Sequence, residues 1–311
     1  MAEGRRIVFA GTPDFAERVL ARLLARHEEI VGVVTQPDRP AGRGRKLQAS
    51  PVKALALQAG LPILQPESSR APETLDWLRN VAPDLLIVVA FGQILPQAIL
   101  DTPRLGAINV HASLLPAWRG AAPIVRALAA GDSETGICIM QMEAGLDSGP
   151  VLWTRKTPIL DTDTGASLHD RLAELGADAL AEALDRLWLG ELQAVPQDHE
   201  QVSYAKKLRK EEAHIDWSKD AATLARLVRA YNPYPVTHTG FREQPLRVWS
   251  ARLGNAAGTP GTLIVNTPEG PEVACGRGSL VLTRVQPAGK AQLSGGDFGR
   301  GYRLQEGEVF A

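Results

Sequence analysis

The sequence predicts an α/β protein in which a Rossmann-like parallel-sheet domain is followed by a small C-terminal β-barrel domain of the OB-like type. In the first half, short apolar runs rich in β-branched residues alternate with helical patterns, as in parallel sheets covered on both faces. Beyond about residue 206 the apolar runs become shorter and are separated by Gly and Pro, which is typical of small all-β domains. At about 150 residues per domain, a chain of 311 residues is expected to form two domains.

The first strand and helix are predicted from residues 6–25. Residues 6–10 contain the apolar run 7–10 and are followed by Gly11, and residues 13–25 carry an apolar stripe at helical spacing. That stripe consists of Phe15, Val19, Leu20, Leu23 and Leu24. Four further strands are predicted in this half, at residues 30–35, 85–90, 107–111 and 135–142.

The second half begins with a long helix predicted from 164 to 189, on which leucines recur at three- to five-residue steps. Gly190 suits the position just after such a helix. We therefore predict a catalytic domain at 1–190, a linker at 191–206 and a C-terminal domain at 207–311. The predicted elements of the last domain are a helix at 220–231 and strands at 246–249, 261–265, 272–274 and 280–285.

Composition excludes several classes of protein. The net charge is −1, which argues against a chain that is basic throughout. The two cysteines, Cys138 and Cys275, are far apart, so neither a disulfide framework nor a cysteine zinc site is expected, and the six histidines show no HxxxH spacing. No metal is therefore expected. The longest apolar run has seven residues, against about 20 for a membrane span, and no signal peptide is evident. We expect a cytoplasmic protein.

The first candidate site is Asn109-Val-His111, at the end of a predicted strand. Residues two apart in a strand lie on the same side, and ligands of open α/β sheets bind beyond the carboxyl ends of the strands. On spacing alone, Asn109 capping a turn and His111 packing in the core are equally good explanations. Asp147, between Gly145 and Gly149, is also predicted to follow a strand end. Taken alone, it is better explained as a turn residue.

Two loops are further candidates. Residues 113–123 combine leucines and Trp118 with Pro and Gly, which fits either the wall of an apolar ligand site or a packed surface loop. Residues 35–53 carry a net charge of +4, which fits phosphate binding or a solvated surface, and their Gly and Pro content predicts a mobile loop. The turn after the first strand, Gly11-Thr-Pro-Asp14, lacks the GxGxxG pattern, which argues against NAD(P) binding.

Together these residues resemble the 10-formyltetrahydrofolate-dependent formyltransferases. The family pattern combines an Asn-x-His strand end, an SLLP loop with a following Arg-Gly, and a Gly-x-Asp-x-Gly turn. In this sequence the matching segments are 109–111, 113–116, 119–120 and 145–149. Segments 9–15, 35–44 and 210–235 are most similar to the family members that formylate methionyl-tRNA. The similarity covers nearly the whole chain.

The resemblance implies roles for individual residues. Asn109, His111 and Asp147 are expected to be catalytic. The folate cosubstrate, 10-formyltetrahydrofolate, is expected along Ser113, Leu114, Leu115 and Pro116, with Phe91, Gly92 and Ile94 on the other wall. Contacts to initiator methionyl-tRNA are expected from Arg39, Arg43, Arg45, Lys46, Lys206 and Lys207. Residues from 206 onward carry a net charge of +5, which supports RNA binding by the C-terminal domain.

Ala117 departs from the pattern, because family members often carry a basic residue there, so the resemblance provides no charged contact at this position. Three other functions are weighed: formyl transfer to another amine such as an amino-sugar nucleotide, hydrolysis of formyltetrahydrofolate, and RNA binding without catalysis. The basic loop argues against the first, and the complete Asn–His–Asp set argues against the last. No obvious interface segment is present, and a monomer is expected.

Overall fold

A computed structural model describes residues 5–41 and 46–311. The chain divides into two compact units. The first contains residues up to Pro123 together with Glu134–Thr157 and His169–Ala205. The second contains Ile124–Ser133, Pro158–Leu168 and Lys206–Ala311. No helix among the described residues is long and apolar enough to cross a membrane.

Strands and helices alternate through the first part of the chain. The strands are β1 (Ile7–Gly11), β2 (Ile30–Val34), β3 (Arg39–Ala41), β4 (Lys46–Gln48), β5 (Ile63–Leu64), β6 (Leu85–Val89), β7 (Ala107–His111), β8 (Arg119–Gly120), β9 (Glu134–Gln141), β10 (Val151–Pro158) and β11 (Tyr204–Ala205). The helices are α1 (Asp14–Ala25), α2 (Pro51–Gln58), α3 (Pro72–Val81), α4 (Gln97–Leu100), α5 (Pro123–Ala130) and α6 (Gly165–Leu189). Two short 3₁₀ helices span His199–Gln201 and Lys210–Ala213.

The first unit is built on a seven-stranded sheet with the order β10-β9-β7-β6-β1-β2-β5. Five neighbouring strands of this sheet are parallel to one another, namely β7, β6, β1, β2 and β5. This confirms the predicted α/β core. The strand predicted at 135–142 is present as β9, but it runs antiparallel to β7 instead of extending the parallel sheet. Cys138 lies beside His111, and Gln141 lies beside Ile108. The chain therefore returns from the carboxyl end of β7 toward the beginning of that strand.

Continuous burial explains why the apolar runs fold as central strands. Every residue of β1 and β6 is buried, and of the predicted α1 stripe, Phe15, Val19, Leu20 and Leu23 are buried against the sheet. Helix α6 also lies close to the sheet. A Cβ at Gly176 would come within 3.3 Å of Val110 Cγ1, so a larger side chain there would push the helix away.

The second unit contains the remaining elements: β12 (Thr237–Phe241), β13 (Gln244–Gly254), β14 (Leu263–Asn266), β15 (Pro271–Ala274), β16 (Ser279–Pro287), β17 (Leu293–Ser294), α7 (Ala221–Ala230) and α8 (Gly295–Gly301). Its sheet has the order β12-β13-β16-β15-β14, with β17 beside β16. All of its described strand pairs are antiparallel, in the region where the sequence predicted a small β domain.

The C-terminal residues link the two ends of this sheet. Phe310 bridges to Phe241 at the end of β12, and Val309 bridges to Thr262 just before β14. The Phe310 ring also stacks on Phe241, with centroids 5.1 Å apart, and Phe298 packs edge-on to Phe241 at 5.2 Å. Because the chain end pairs with both edge strands, the sheet closes around an aromatic core in the manner of a small barrel.

Candidate active site

Asn109, His111 and Asp147 meet at the carboxyl end of β7. Asn109 Nδ2 lies 3.5 Å from Asp147 Oδ1, and His111 Nδ1 lies 3.7 Å from Asp147 Oδ2. Asn109 and His111 come from alternate positions of one strand, so both side chains point to the same side. The structure therefore brings together the three residues that the sequence analysis assigned to catalysis.

The two nitrogens of the His111 ring have different surroundings. Nε2 lies 3.1 Å from the carbonyl oxygen of Trp118, within hydrogen-bond distance. Nδ1 faces Asp147 Oδ2 at 3.7 Å, which is longer than a hydrogen bond. The residue is only 5% exposed. The Trp118 carbonyl fixes the orientation of the ring, and Nδ1 lies close enough to the carboxylate for electrostatic attraction without a direct hydrogen bond.

Asp147 reaches the site by a route that differs from the expected one. The sequence analysis placed it beyond a strand end at the same edge as His111, but β9 ends beside the beginning of β7. The loop between β9 and β10 returns toward His111, and Asp147 has a φ of 46°. Its Oδ2 accepts a hydrogen bond from the Gly120 backbone N–H at 2.8 Å. This bond fixes the carboxylate near His111.

Gly120 is a site residue whose role the sequence analysis did not recognise. Its φ is 117°, a conformation that L side chains rarely adopt. A Cβ at this position would lie 2.9 Å from the Ala205 carbonyl oxygen, so only glycine fits between β11 and Asp147. The Arg-Gly pair of the family pattern was a signal for this position, although it did not reveal that the backbone N–H is the functional group.

The SLLP segment forms a compact turn directly after β7. Ser113 is fully buried, and its hydroxyl donates to the Ala117 carbonyl at 2.6 Å. Leu114, Leu115 and Pro116 are partly exposed, and the Ala117 N–H donates to the Leu114 carbonyl at 3.1 Å. Ser113 therefore holds the turn in shape, whereas the following three residues present apolar surface.

The other expected folate wall divides into a buried and an exposed part. Phe91 is 2% exposed and packs in the core beneath the sheet edge, and its carbonyl accepts from the Thr12 hydroxyl at 3.0 Å and from Gln36 Nε2 at 3.2 Å. Gly92 and Ile94 are exposed. Of these three residues, Gly92 and Ile94 present surface to a ligand, whereas Phe91 does not.

The basic loop is described on both sides of its tip. Arg39 pairs with Gln48 across the β3–β4 ladder, and its guanidinium donates to Gln36 Oε1 at 2.9 Å. Arg43 and Arg45 lie outside the described residues, and the prediction of a mobile loop stays a prediction. Lys46 begins β4. Lys53 forms an ion pair with Asp38 at 2.7 Å, which holds the pKa of Asp38 below its ordinary value.

In the second unit, Lys206 and Lys207 are exposed. The Arg126 guanidinium donates to the Lys206 carbonyl at 3.1 Å and forms two hydrogen bonds with Glu212, at 2.6 and 3.1 Å. These contacts hold the backbone of the segment and leave both ammonium groups at the surface. Throughout residues 5–41 and 46–311, no group of three or more His, Cys, Asp or Glu side chains is placed to hold a metal ion.

The fold is that of a formyltransferase. Residues 5–184 match the formyl transferase family, and residues 207–303 match the C-terminal domain of formyl transferases. The chain belongs to this family, which confirms the resemblance noted in the sequence. It is 64% identical over 311 residues to the methionyl-tRNA formyltransferase of Acidithiobacillus ferrooxidans, with 99% of each chain covered. It is 53% identical over 305 residues to that of Stutzerimonas stutzeri, covering 98% and 97% of the two chains.

Solved structures share the fold at low sequence identity. The sugar 3N-formyltransferase WlaRD, solved with dTDP and 5-N-formyl-THF, has a TM-score of 0.70 at 16% identity, covering 93% of this chain and all of that one. HypX from Aquifex aeolicus, in complex with tetrahydrofolic acid, has a TM-score of 0.66 at 17% identity. It covers 99% of this chain, whereas this chain spans about half of the length of HypX, 51%.

Proposed function

We propose that this protein transfers the formyl group of 10-formyltetrahydrofolate to the α-amine of methionine on initiator tRNA, for translation initiation. One observation carries the proposal. Asn109, His111 and Asp147 meet in one site, within a chain that is 64% identical over its length to a methionyl-tRNA formyltransferase. An amide, an imidazole and a carboxylate can supply the oxyanion stabilisation and the proton transfer that acyl transfer to an amine needs.

The reaction begins when the neutral amine of the methionyl group attacks the formyl carbon. The new C–N bond forms as the carbonyl becomes an oxyanion, and the tetrahedral intermediate collapses by breaking the bond from carbon to N10. The attacking nitrogen loses a proton and N10 gains one, so the products are formylmethionyl-tRNA and tetrahydrofolate. The protein has to stabilise the oxyanion and move that proton.

We assign the stabilisation of the oxyanion to two side chains. Asn109 supplies an amide N–H from Nδ2. His111, acting as the imidazolium, supplies a second N–H from Nδ1, since its Nε2 is directed at the Trp118 carbonyl. Donors held in place before the reaction contribute more than mobile water does, because they need no reorganisation as charge develops. Removing one such donor typically costs about a hundredfold or more in rate.

Asp147 is assigned to the proton transfer. Its carboxylate lies opposite His111 Nδ1 at 3.7 Å, where it stabilises the imidazolium by its opposite charge. Its oxygens accept a further hydrogen bond from a water molecule and so orient it. This water accepts the amine proton and delivers a proton to N10. The hydrogen bond from the Gly120 N–H keeps the carboxylate in place throughout.

The folate is proposed to lie along Ser113–Pro116, where Leu114 and Leu115 cover the pterin and backbone groups bond to its edge. Gly92 and Ile94 form the opposite wall. Ile94 is 75% exposed in the chain alone, an apolar surface that a bound ring would cover. For the tRNA, we propose contacts from Arg39, Arg43, Arg45, Lys46, Lys206 and Lys207.

The assignment of functions to separate segments of the chain is also a proposal. Residues 1–190 carry the chemistry, 191–206 join the two parts, and 207–311 bind tRNA. We propose a monomer that acts in the cytoplasm and uses no metal. Sedimentation of the purified protein at micromolar concentration tests whether it is a monomer. Activity measured in excess chelator tests whether it needs a metal.

The decisive test is a formyl-transfer assay with 10-formyltetrahydrofolate and three acceptors: charged initiator tRNA, charged elongator tRNA and free methionine. We expect rapid transfer to the first and at least about a hundredfold lower kcat/KM for the other two, a difference of about 2.7 kcal/mol in transition-state binding. Equal rates for free methionine and initiator tRNA would contradict the proposal.

The alternative acceptor is an amino-sugar nucleotide. Structures of sugar N-formyltransferases share the fold at 15–20% identity, so the fold permits this reaction. The 64% identity to a methionyl-tRNA formyltransferase favours tRNA. An assay with a dTDP-amino sugar as acceptor separates the two, and rapid formate release without any acceptor would instead indicate hydrolysis.

A further inference from the structure

An open cavity of about 730 Å³ lies on the second unit. This volume falls in the range of about 300–1,000 Å³ that small-molecule sites occupy. The walls combine aromatic rings, prolines, two cations and a carboxamide. The side chains that matter for the argument are Lys210, Tyr234, His238, Arg247, Trp249 and Gln286.

The aromatic residues of the cavity differ in exposure. Trp249 is partly buried, and its Nε1–H donates to Gln286 Oε1 at 3.1 Å, so its indole is held in one orientation. Tyr234, between Pro233 and Pro235, is 55% exposed. An aromatic ring left in water beside a concave, proline-lined wall provides a flat apolar surface on which a second ring can stack.

The charged residues favour an anion. Lys210 and Arg247 are both exposed, and neither forms an ion pair with any described residue. Glu211 is the single carboxylate among the described lining residues. Burial, the neighbouring His214 and Arg247 lower the pKa of His238, so this imidazole adds no positive charge at neutral pH. The cavity thus offers two cations and one anion around an aromatic surface.

We propose that this cavity binds one unstacked nucleotide of the tRNA substrate, with its base on the Tyr234 ring and its phosphate between Lys210 and Arg247. This inference rests on the proposed function. A nucleotide combines an aromatic base with an anionic phosphate, and the cavity combines an aromatic surface with two cations that form no ion pair within the described part of the chain. Stacking of a base on an aromatic side chain tolerates any base. The net charge of +5 from residue 206 onward draws RNA to the same part of the chain.

The stacking contact is tested with a pair of variants at one position. Tyr234→Ala is expected to weaken the binding of initiator tRNA about tenfold, because it removes the ring, without changing the slope of log Kd against log salt. Tyr234→Phe keeps the ring and is expected to bind within twofold of the wild type. Fluorescence anisotropy with labelled tRNA measures both, and an unchanged melting temperature shows that each variant folds.

The phosphate contact has a different signature. Lys210→Ala and Arg247→Ala are each expected to weaken binding and to reduce the salt slope by about 1. Arg303→Ala removes an exposed cation that does not line the cavity and serves as the control. The proposal is wrong if Tyr234→Ala binds like the wild type, if Tyr234→Phe loses as much as Tyr234→Ala, or if Arg303→Ala costs as much as Arg247→Ala.

The same measurements separate this inference from the proposed function. If wild-type protein binds no tRNA and transfers no formyl group to it, the proposed function fails. If the wild type formylates initiator tRNA and the cavity variants bind it as tightly, only the inference about the cavity fails.

A second inference rests on Gln197, in the segment predicted to be a linker. Its side chain is 7% exposed, and its Nε2 donates to the Asp147 carbonyl at 2.9 Å and to the Gly149 carbonyl at 2.7 Å. Its Oε1 accepts from Arg119 Nε at 3.0 Å and from Arg119 Nη2 at 2.7 Å. One carboxamide thus connects a buried guanidinium to two carbonyls of the Asp147 loop.

We infer that Gln197 is a positioning residue for Asp147. Asp147 sits at a φ of 46°, which non-glycine residues seldom adopt, and the hydrogen bonds to the carbonyls of Asp147 and Gly149 hold the loop in that conformation. Like the first inference, this one depends on the proposed role of Asp147 in formyl transfer. It predicts an effect on the rate of the reaction rather than on substrate binding.

Gln197→Glu and Gln197→Ala test this inference. Glutamate keeps an acceptor for Arg119 but cannot donate to the two carbonyls, so both variants are expected to lower kcat about tenfold with KM for the folate within twofold. Gln201→Ala, which removes an exposed amide bonded to Asp198, is the control and is expected to keep the wild-type kcat. Wild-type kcat in Gln197→Glu would overturn the inference, whereas an inactive wild type would overturn the proposed function.

Discussion

At the scale of single residues, the site depends on backbone groups as much as on side chains. The Trp118 carbonyl faces Nε2 of His111, and the Gly120 N–H bonds to Asp147. These two partners determine which nitrogen of the imidazole faces the carboxylate and where the carboxylate lies. Both lie directly after the SLLP segment, so this part of the chain orients the residues that we propose to be catalytic.

We predict that Asp147→Asn and His111→Ala each lower kcat for formyl transfer by at least about a hundredfold, the low end for general acid–base groups. Asparagine keeps the acceptor for the Gly120 N–H but loses the negative charge beside His111. Folate affinity and melting temperature are expected to stay near those of the wild type. Single-turnover rates within a few-fold of wild type would contradict the assigned roles.

At the scale of elements, the sequence patterns located the buried strands of the first unit's sheet and missed its edge strands. Strands β1, β6 and β7 follow their predicted positions closely, because burial on both faces requires continuous apolar runs. Strand β10 was missed, since it lies at the sheet edge with alternating intermediate and exposed residues such as Arg155 and Lys156. The direction of β9 was also missed, because apolar periodicity contains no information on strand polarity.

The Arg126–Glu212 pair allows a prediction for the stability of the second unit. The hydrogen bond from Arg126 lowers the pKa of Glu212 below its ordinary value of 4.5. A carboxylate whose pKa is lower in the folded state than in the unfolded state stabilises the fold above pH 4.5. This stabilisation is lost as the pH falls through the pKa of the folded state. Glu212→Gln should therefore lower stability by about 1 kcal/mol at pH 7, and the difference should disappear in acid.

Thermal unfolding at pH 7 and at pH 3 checks this prediction, with an expected shift of about 3 °C at pH 7. The control is Glu211→Gln, because this neighbouring carboxylate forms no ion pair with any described residue and should leave the midpoint unchanged at both pH values. A Glu212→Gln shift that is equally large at pH 3 would show that the ion pair is not its source.

At the scale of the whole molecule, charge is segregated along the chain. The net charge is −1, but residues 35–53 carry +4 and residues from 206 onward carry +5, so the rest carries −10. A near-neutral total is therefore compatible with binding a polyanion through two separate segments. The value for residues 35–53 already includes Asp38, which forms an ion pair with Lys53.

We predict that affinity for initiator tRNA falls at least about tenfold between 50 and 200 mM salt, the result of two or more phosphate contacts. Fluorescence anisotropy at a series of salt concentrations gives the slope directly. Kd values that do not change over this range would show that phosphate contacts are not the source of the affinity.

The sequence by itself determined the fold class and the family, because apolar periodicity reports burial and the combined motifs are specific, and it indicated which residues to propose as the catalytic set. Only the tertiary structure decided how that set is held. The Gly120 N–H and the Gln197 amide are brought to Asp147 by contacts between residues that lie far apart in the chain, and the Trp118 carbonyl reaches His111 through the turn that follows β7. Phe91 likewise proved to be a core residue. Local patterns report which residues are apolar or reactive, whereas the partner of each polar group depends on packing.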